Sequence, residues 1–307
     1  MAKILVTGGS GFLGKFVVKE LLKTYKKEEI YVPRSSIFDL TNRFQVDHLY
    51  SHTSPDIVIH LAAVVGGIGA NMENPGKFFY DNMAMGLHLI EGARLHNVRK
   101  FVQIGTVCAY PKICKVPFLE EDIWEGYPEE TNAPYGIAKK ALFVMLESYK
   151  KQYGLNSTVL VPCNLYGPFD NFDPKSSHVI PALIRKLVEA KINKSPFVEC
   201  WGSGNATREF LYAEDAAKAI VASIEIDTDS SPVNLGGGIE ISIRDLVNKI
   251  KDLCEYDGEV RWDSSKPDGQ PRRFLDISKA ERILGWTPTK DFTEGLRETI
   301  NWYLSTL

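Results

Sequence analysis

Residues 3–14 narrow the possible folds more than any other part of the chain. Lys3-Ile4-Leu5-Val6-Thr7 is a short, largely apolar run with β-branched members, the pattern of a buried strand. Gly8-Gly9-Ser10-Gly11-Phe12-Leu13-Gly14 follows directly, and apolar residues at helical spacing then run from Phe12 to Leu22. A strand that enters a helix through glycines can bring a pyrophosphate onto the helix N-terminus. Glycine permits the tight turn and the close approach of main chain to phosphate. The spacing is Gly8-x-x-Gly11-x-x-Gly14 rather than G-x-G-x-x-G, and an ordinary glycine-rich turn is the competing explanation. With a strand before it and a helix after it, the segment predicts dinucleotide binding by Gly8, Gly9, Ser10, Gly11, Phe12, Leu13 and Gly14.

The rest of the first half repeats the alternation. Strand-like runs at 30–32, 56–60, 100–104 and 157–161 each follow a helix-length segment. That order predicts an α/β fold, a Rossmann-type doubly wound parallel sheet with right-handed crossovers. Helices are expected at 75–96, 134–153, 242–254, 278–284 and 292–306, and a late strand at 233–235 before Gly236-Gly237-Gly238. After Pro162 the pattern changes. Residues 164–178 are rich in Asn, Asp, Gly and Pro and read as a long functional loop. The expected organisation is a nucleotide-binding domain from 1–162 and 211–238. A smaller, discontinuous substrate-binding domain would come from 163–210 and 239–307.

Charge and composition exclude several classes. With 36 Lys and Arg against 39 Asp and Glu, the net charge of −3 predicts no attraction to nucleic acid or membrane. No apolar run approaches the ~20 residues of a membrane helix, and the chain enters its first strand without a leader-like segment. The 5 cysteines, Cys108, Cys114, Cys163, Cys200 and Cys254, are scattered and show no metal-type pairing. Reduced thiols in a cytoplasmic protein are expected, and no metal site.

Tyr135-Gly-Ile-Ala-Lys139 adds a candidate for chemistry. Residues i and i+4 are neighbours on a helix face, and a nearby ammonium favours the phenolate of a tyrosine whose ordinary pKa is about 10. The pair can therefore exchange a proton, although the same spacing arises by chance in many amphipathic helices. At the end of the second strand an acidic residue would bind a free ribose 2′-hydroxyl. The chain has Tyr31-Val32-Pro33-Arg34-Ser35-Ser36 there, and Arg34 with two hydroxyls suits a 2′-phosphate, which predicts NADP over NAD. Asp39-Leu40 are placed to flank the adenine, and Leu61-Ala62-Ala63 to give the dinucleotide a path of small residues.

Together, Thr7-Gly8-x-x-Gly11-x-x-Gly14, His60-Leu61-Ala62-Ala63 and Tyr135-x-x-x-Lys139 resemble the extended short-chain dehydrogenase/reductase superfamily. A second set spans nearly the whole chain: residues 65–71 (VGGIGAN), 108–112 (CAYPK), 164–168 (NLYGP), 177–183 (SHVIPAL), 201–204 (WGSG), 208–211 (REFL) and 265–269 (SKPDG). This set resembles the GDP-L-fucose synthase family, whose reaction is the 3,5-epimerisation and 4-reduction of GDP-4-keto-6-deoxymannose with NADPH. The resemblance implies that Thr106 is the active-site Ser/Thr, Tyr135 the general acid and Lys139 its partner. Cys108 and His178 match the pair that moves protons at C3 and C5. A 4-keto group acidifies those hydrogens, and inversion needs a base on one face and an acid on the other. Cysteine and histidine, with reference values near ~8.5 and ~6.5, bracket neutral pH for that work.

The same resemblance places Pro162, Asn164, Leu165 and His178 along the cofactor. It places Asn164, Val179, Arg185 or Lys186, Trp201, Arg208, Lys266 and Asp268 along the GDP-sugar, and implies a homodimer through the helices at 75–96 and 134–153. Three departures bear on substrate and cofactor. Gly8-Gly9-Ser10-Gly11 stands where the family has Gly-His-Arg-Gly, leaving Arg34 more of the 2′-phosphate contact. Gly105-Thr106-Val107-Cys108 lacks the family's adjacent serines, and residues 122–127 are distinct. A sister 4-epimerase or 4-reductase acting on another nucleotide sugar therefore stands as the alternative. An NADP-binding protein without catalysis is a third reading, which the Thr106, Tyr135 and Lys139 set argues against.

Overall fold

The structure is a computed structural model that describes residues 2–174, 176–266 and 269–307. Its strands are β1 (Ile4–Thr7), β2 (Ile30–Tyr31), β3 (Ile57–His60), β4 (Lys100–Ile104), β5 (Ser157–Pro162), β6 (Asn164–Tyr166), β7 (Phe197–Trp201), β8 (Thr207–Tyr212), β9 (Pro232–Leu235), β10 (Glu240–Ser242) and β11 (Glu259–Asp263). Its helices are α1 (Phe12–Leu21), α2 (Arg43–Thr53), α3 (Ile68–Glu73), α4 (Pro75–Leu95), α5 (Ala133–Tyr153), α6 (Val179–Ile192), α7 (Ala213–Ala222), α8 (Ile243–Cys254), α9 (Ser278–Leu284) and α10 (Phe292–Leu304).

A 6-stranded parallel sheet with order β2-β1-β3-β4-β5-β9 forms the centre. Every residue of β1, β3, β4 and β5 is buried, as expected for strands covered by helices on both faces. Strand order reverses at β1, with β2 on one side and β3 on the other, and ligands of such sheets bind in the crevice at that switch. A second core gathers Tyr166, Ile184, Leu187, Leu246, Ile250 and Leu296 around α6, α8 and α10. Two small sheets border it, β10-β8-β6 and β11-β7.

The elements expected from sequence are present, and α6, α7, β7, β8, β10 and β11 are additional to them. The helix-length segment before the strand at 56–60 is α2, which Asn42 caps by accepting from the Phe44 and Gln45 main-chain N–H groups and which buries Val46, Leu49 and Tyr50. The expected loop at 164–178 begins with β6, whose pairing with β8 is a tertiary contact. The segment 239–307 does not stay with the second core. Leu275, Ala280 and Trp286 pack into the core of the large sheet, and α9 lies on β9.

Helices α4 and α5 pack closely because Gly86 has no side chain. A Cβ at Gly86 would lie 2.1 Å from Leu142 Cδ1. Leu142 is fully enclosed there, at 1% exposure. Leu142→Ala should therefore cost roughly 2–5 kcal/mol in urea unfolding, because the backbone contact leaves little room for collapse; a loss under about 1 kcal/mol would contradict this packing.

Candidate active site

The glycine turn meets the main chain that leaves β3. Gly8 has φ +73°, and a Cβ on it would lie 2.7 Å from the Ala62 nitrogen. A Cβ on Gly14 would lie 2.2 Å from the Gly8 carbonyl oxygen, so α1 can start only if both positions are glycine. Gly11 takes the N-cap position of α1 without a side-chain cap. The first N–H groups of α1 therefore have no capping side chain over them. This backbone cradle fits the pyrophosphate of a dinucleotide.

The cradle opens into a cavity of about 1460 Å³. Single small-molecule sites run to about 300–1,000 Å³, so the volume accommodates a dinucleotide and a second ligand together. Gly8, Ser10, Gly11, Phe12, Leu13 and Gly14 line one end, with Asp39, Leu40, Leu61, Ala62 and Ala63. Gly9 does not line it. It is buried behind the turn, where a Cβ would lie 2.9 Å from the Val32 methyl groups. Arg34 does not line it either. Pro33 and Ser35 do, while the Arg34 side chain is exposed and makes no hydrogen bond or ion pair among the described residues. Asp39 lines the cavity with its carboxylate held by the Thr41 N–H and hydroxyl at 2.9 and 2.7 Å.

Thr106, Cys108, Tyr135, Lys139 and His178 all line the middle of the same cavity. Thr106 follows β4 and caps a tight turn over Val107–Ala109, its hydroxyl accepting from the Cys108 N–H at 3.1 Å. α5 lies directly on that turn. Gly136 makes this possible, because a Cβ there would lie 2.1 Å from the Cys108 carbonyl oxygen. His178 precedes α6 at its N-cap position, yet its side chain makes no capping bond. Cavity-lining Asn164 donates to the Glu209 carbonyl at 2.9 Å, which ties β6 to β8 beside Pro162 and Leu165.

The Tyr135–Lys139 pair corrects one expectation. Lys139 Nζ lies 6.0 Å from the Tyr135 ring centroid and donates to the Ile104 carbonyl at 3.1 Å. Burial raises the Tyr135 pKa, with the neighbouring Cys108 adding to it and a hydrogen bond with Thr106 opposing it. The phenol stays protonated, the form a proton donor needs. Burial also pulls Lys139 down to about 8 and His178 below its usual value, the latter although its ring is open to the cavity. His60, buried at the end of β3 with its Nδ1 2.8 Å from the Thr7 hydroxyl, is held neutral by burial and by the Lys139 charge.

The outer end of the cavity follows α6. Val179, Ala182, Lys186, Glu189 and then Asn193, just past its end, are lining residues at helical spacing. At 1.5 Å per residue this stripe spans ~21 Å. Arg185 also lines it, with Nε on Glu189 at 2.7 Å and Nη1 on the Phe172 carbonyl at 3.0 Å, while Lys186 Nζ donates to the Glu199 carbonyl at 2.6 Å. Trp201 and Arg208 line the cavity; Lys266 does not, but its ammonium lies 5.4 Å from the Trp201 ring centroid. Asp268 lies outside the described residues.

A family model described as "NAD dependent epimerase/dehydratase family" matches residues 4–236. The chain belongs to the NAD dependent epimerase/dehydratase family. It is 38% identical to "GDP-L-fucose synthase 1" of Arabidopsis thaliana over 99% of this chain and 93% of that one. Its fold is similar to a GDP-6-OMe-4-keto-L-xylo-heptose reductase from C. jejuni, with TM-score 0.93 and 29% identity over 100% and 98% of the two chains. It is also similar to a GDP-L-fucose synthetase from Naegleria fowleri bound to NADP, with TM-score 0.87 and 30% identity over 99% and 94%.

Several cavity residues were not given a role from sequence. Glu129 and Asn132 line it beside Tyr135, and Gln270 and Arg273 approach from the segment that returns toward the first core. The 65–71 run, part of the family resemblance, lines it through Val65, Gly66, Gly67, Gly69 and Asn71. Asn71 Nδ2 holds that loop through the Gly66 and Gly67 carbonyls at 2.9 and 3.1 Å, and the Gly67 N–H reaches the Ser176 carbonyl at 3.3 Å.

Two measurements test this geometry. Gly136→Ala should displace Cys108 and cut turnover roughly 10- to 100-fold, with NADPH affinity by fluorescence titration changed little; unchanged turnover would refute the contact. Lys139 binds its proton less tightly folded than unfolded, so between about pH 8 and about pH 10 its contribution to stability rises with pH. Wild-type urea midpoints should gain on those of Lys139→Met across that range, and a constant difference would show that Lys139 titrates normally.

Proposed function

We propose that the chain is an NADPH-dependent sugar-nucleotide epimerase/reductase that converts a GDP-4-keto-6-deoxy sugar, with GDP-4-keto-6-deoxy-D-mannose to GDP-L-fucose as the preferred reaction. The observation that carries this reading is one cavity lined by Thr106, Cys108, Tyr135, Lys139 and His178 and continuous with a dinucleotide cradle. A plain 4-reductase needs a proton donor for the carbonyl oxygen. It has no use for a thiol and an imidazole beside the same space.

Cys108 and His178 supply the base and the acid at the carbons next to the ketone. One takes the proton from C3 or C5, and the electron pair moves into the C4 carbonyl as an enolate. The other returns a proton on the opposite face. Tyr135 and Thr106 hydrogen-bond the C4 oxygen, which holds the enolate charge. Bound NADPH supplies the hydride for C4. Tyr135 gives its proton to the C4 oxygen as the alcohol forms, and Lys139 stabilises the phenolate left behind. The stripe along α6 matches the order of the substrate, with sugar near His178, diphosphate near Lys186, Arg185 or Arg208, and base toward Asn193.

The C. jejuni heptose reductase similarity supports a second reading, a 4-reductase of another GDP-4-keto sugar. We also propose a homodimer through α4 and α5, which expose Phe79, Tyr80, Leu87, Val144 and Tyr153, and a cytoplasmic location that suits the free cysteines. No helix among the described residues is long and apolar enough to cross a membrane.

In deuterated water with GDP-4-keto-6-deoxymannose and NADPH, the reaction should consume NADPH and leave deuterium at C3 and C5 of the product. Cys108→Ala should abolish the exchange while the fold and NADPH affinity persist. Oxidation without deuterium would select the 4-reductase, and full exchange in Cys108→Ala would sink the thiol's role.

A further inference from the structure

Beyond the cations of α6 the cavity ends on β7, and this end carries a group the proton-transfer chemistry does not use. β7 alternates, with Val198 and Cys200 buried and Phe197, Glu199 and Trp201 facing outward, and those three line the cavity together with Val198. Residues two apart on a strand stand ~6.6 Å from each other on one face. Glu199 therefore sits between two aromatic side chains. Trp201 is 65% exposed, with the Lys266 ammonium 5.4 Å from its ring centroid.

The Glu199 carboxylate is left unpaired among the described residues, although cations surround it. Arg261 is its register partner on β11, yet turns its guanidinium to Glu259 at 2.9 Å and over the Phe197 ring at 4.0 Å. Lys186 reaches β7 but donates to the Glu199 main-chain carbonyl. An ionised carboxylate only accepts hydrogen bonds. Guanine offers two adjacent donors on one edge, N1–H and the 2-amino group. Adenine presents an acceptor at N1, and uracil flanks its one donor with two carbonyl oxygens that repel a carboxylate.

We infer that Glu199 reads the base of the nucleotide sugar, accepting from guanine N1–H and the 2-amino group with the base against the Trp201 face. This rests on the GDP-sugar reading above and names the residue that would choose the nucleotide. The Glu199 main-chain carbonyl accepts from Lys186 Nζ at 2.6 Å, which sets the residue next to a cation suited to the diphosphate.

Calorimetric titration with GDP, inosine diphosphate and UDP tests it, since inosine differs from guanosine only by the missing 2-amino group. Wild type should bind GDP about 10- to 100-fold tighter than inosine diphosphate, the worth of a hydrogen bond to a charged group. Glu199→Ala should lose more than that factor on GDP, weaken inosine diphosphate as well through its N1–H, and bind the two nearly equally, and Glu199→Gln should fall between. NADPH affinity, measured on each variant, should not move and reports that the fold is intact. Glu199→Ala with wild-type GDP affinity, or wild type binding inosine diphosphate as tightly as GDP, would overturn the assignment. Wild type binding UDP in preference to GDP would overturn the GDP-sugar reading itself, and Glu199's role with it.

Discussion

Main chain touches main chain at the switch point of the sheet, and that contact positions the site. Gly8, Gly14 and the Ala62 peptide occupy space that three ordinary residues could not share. Removing the side chains brings the start of α1 against the end of β3, which creates the cradle and fixes where a dinucleotide lies. The cost is conformational, since glycine loses more freedom on folding than other residues. The buried β1, β3 and β4 offset it through apolar contact on both faces.

The same device recurs one layer out. Gly86 lets α4 meet Leu142 on α5, and Gly136 lets α5 meet the carbonyl of Cys108. α5 is thus pressed onto the turn after β4, which carries Thr106 and Cys108. Thr106, Cys108 and Tyr135 take their spacing from these backbone approaches, to which the Tyr135–Thr106 hydrogen bond is added. His178 arrives from the other side, at the head of α6, braced through Ser176 by the Asn71-held loop.

Burial decides the charge states. Lys139 and Tyr135 share a helix face, and on that basis the ammonium should favour a phenolate. In the fold, loss of water outweighs that attraction for both groups. A protonated phenol beside a lysine of lowered basicity is suited to donate a proton and then be stabilised as the anion.

Much of this was legible in the sequence, because strands, glycine turns and amphipathic helices are written in local spacing. The Gly8–Gly14 turn and the strands at Lys100–Ile104 and Ser157–Pro162 depend on residues close in the chain. The candidates Thr106, Cys108, Tyr135, Lys139 and His178 were likewise visible as residue types in a known order, and they do line one cavity. What sequence could not supply depends on contacts between distant segments. The displacement of Gly9 and Arg34 from the cavity wall, the return of Leu275 and Trp286 to the first core, and the unpaired Glu199 beside Arg261 are all of that kind. Local spacing determined which elements form and what chemistry they can carry. Only the packing of those elements decided which groups lose water, which cations find other partners, and which side chains meet in one space.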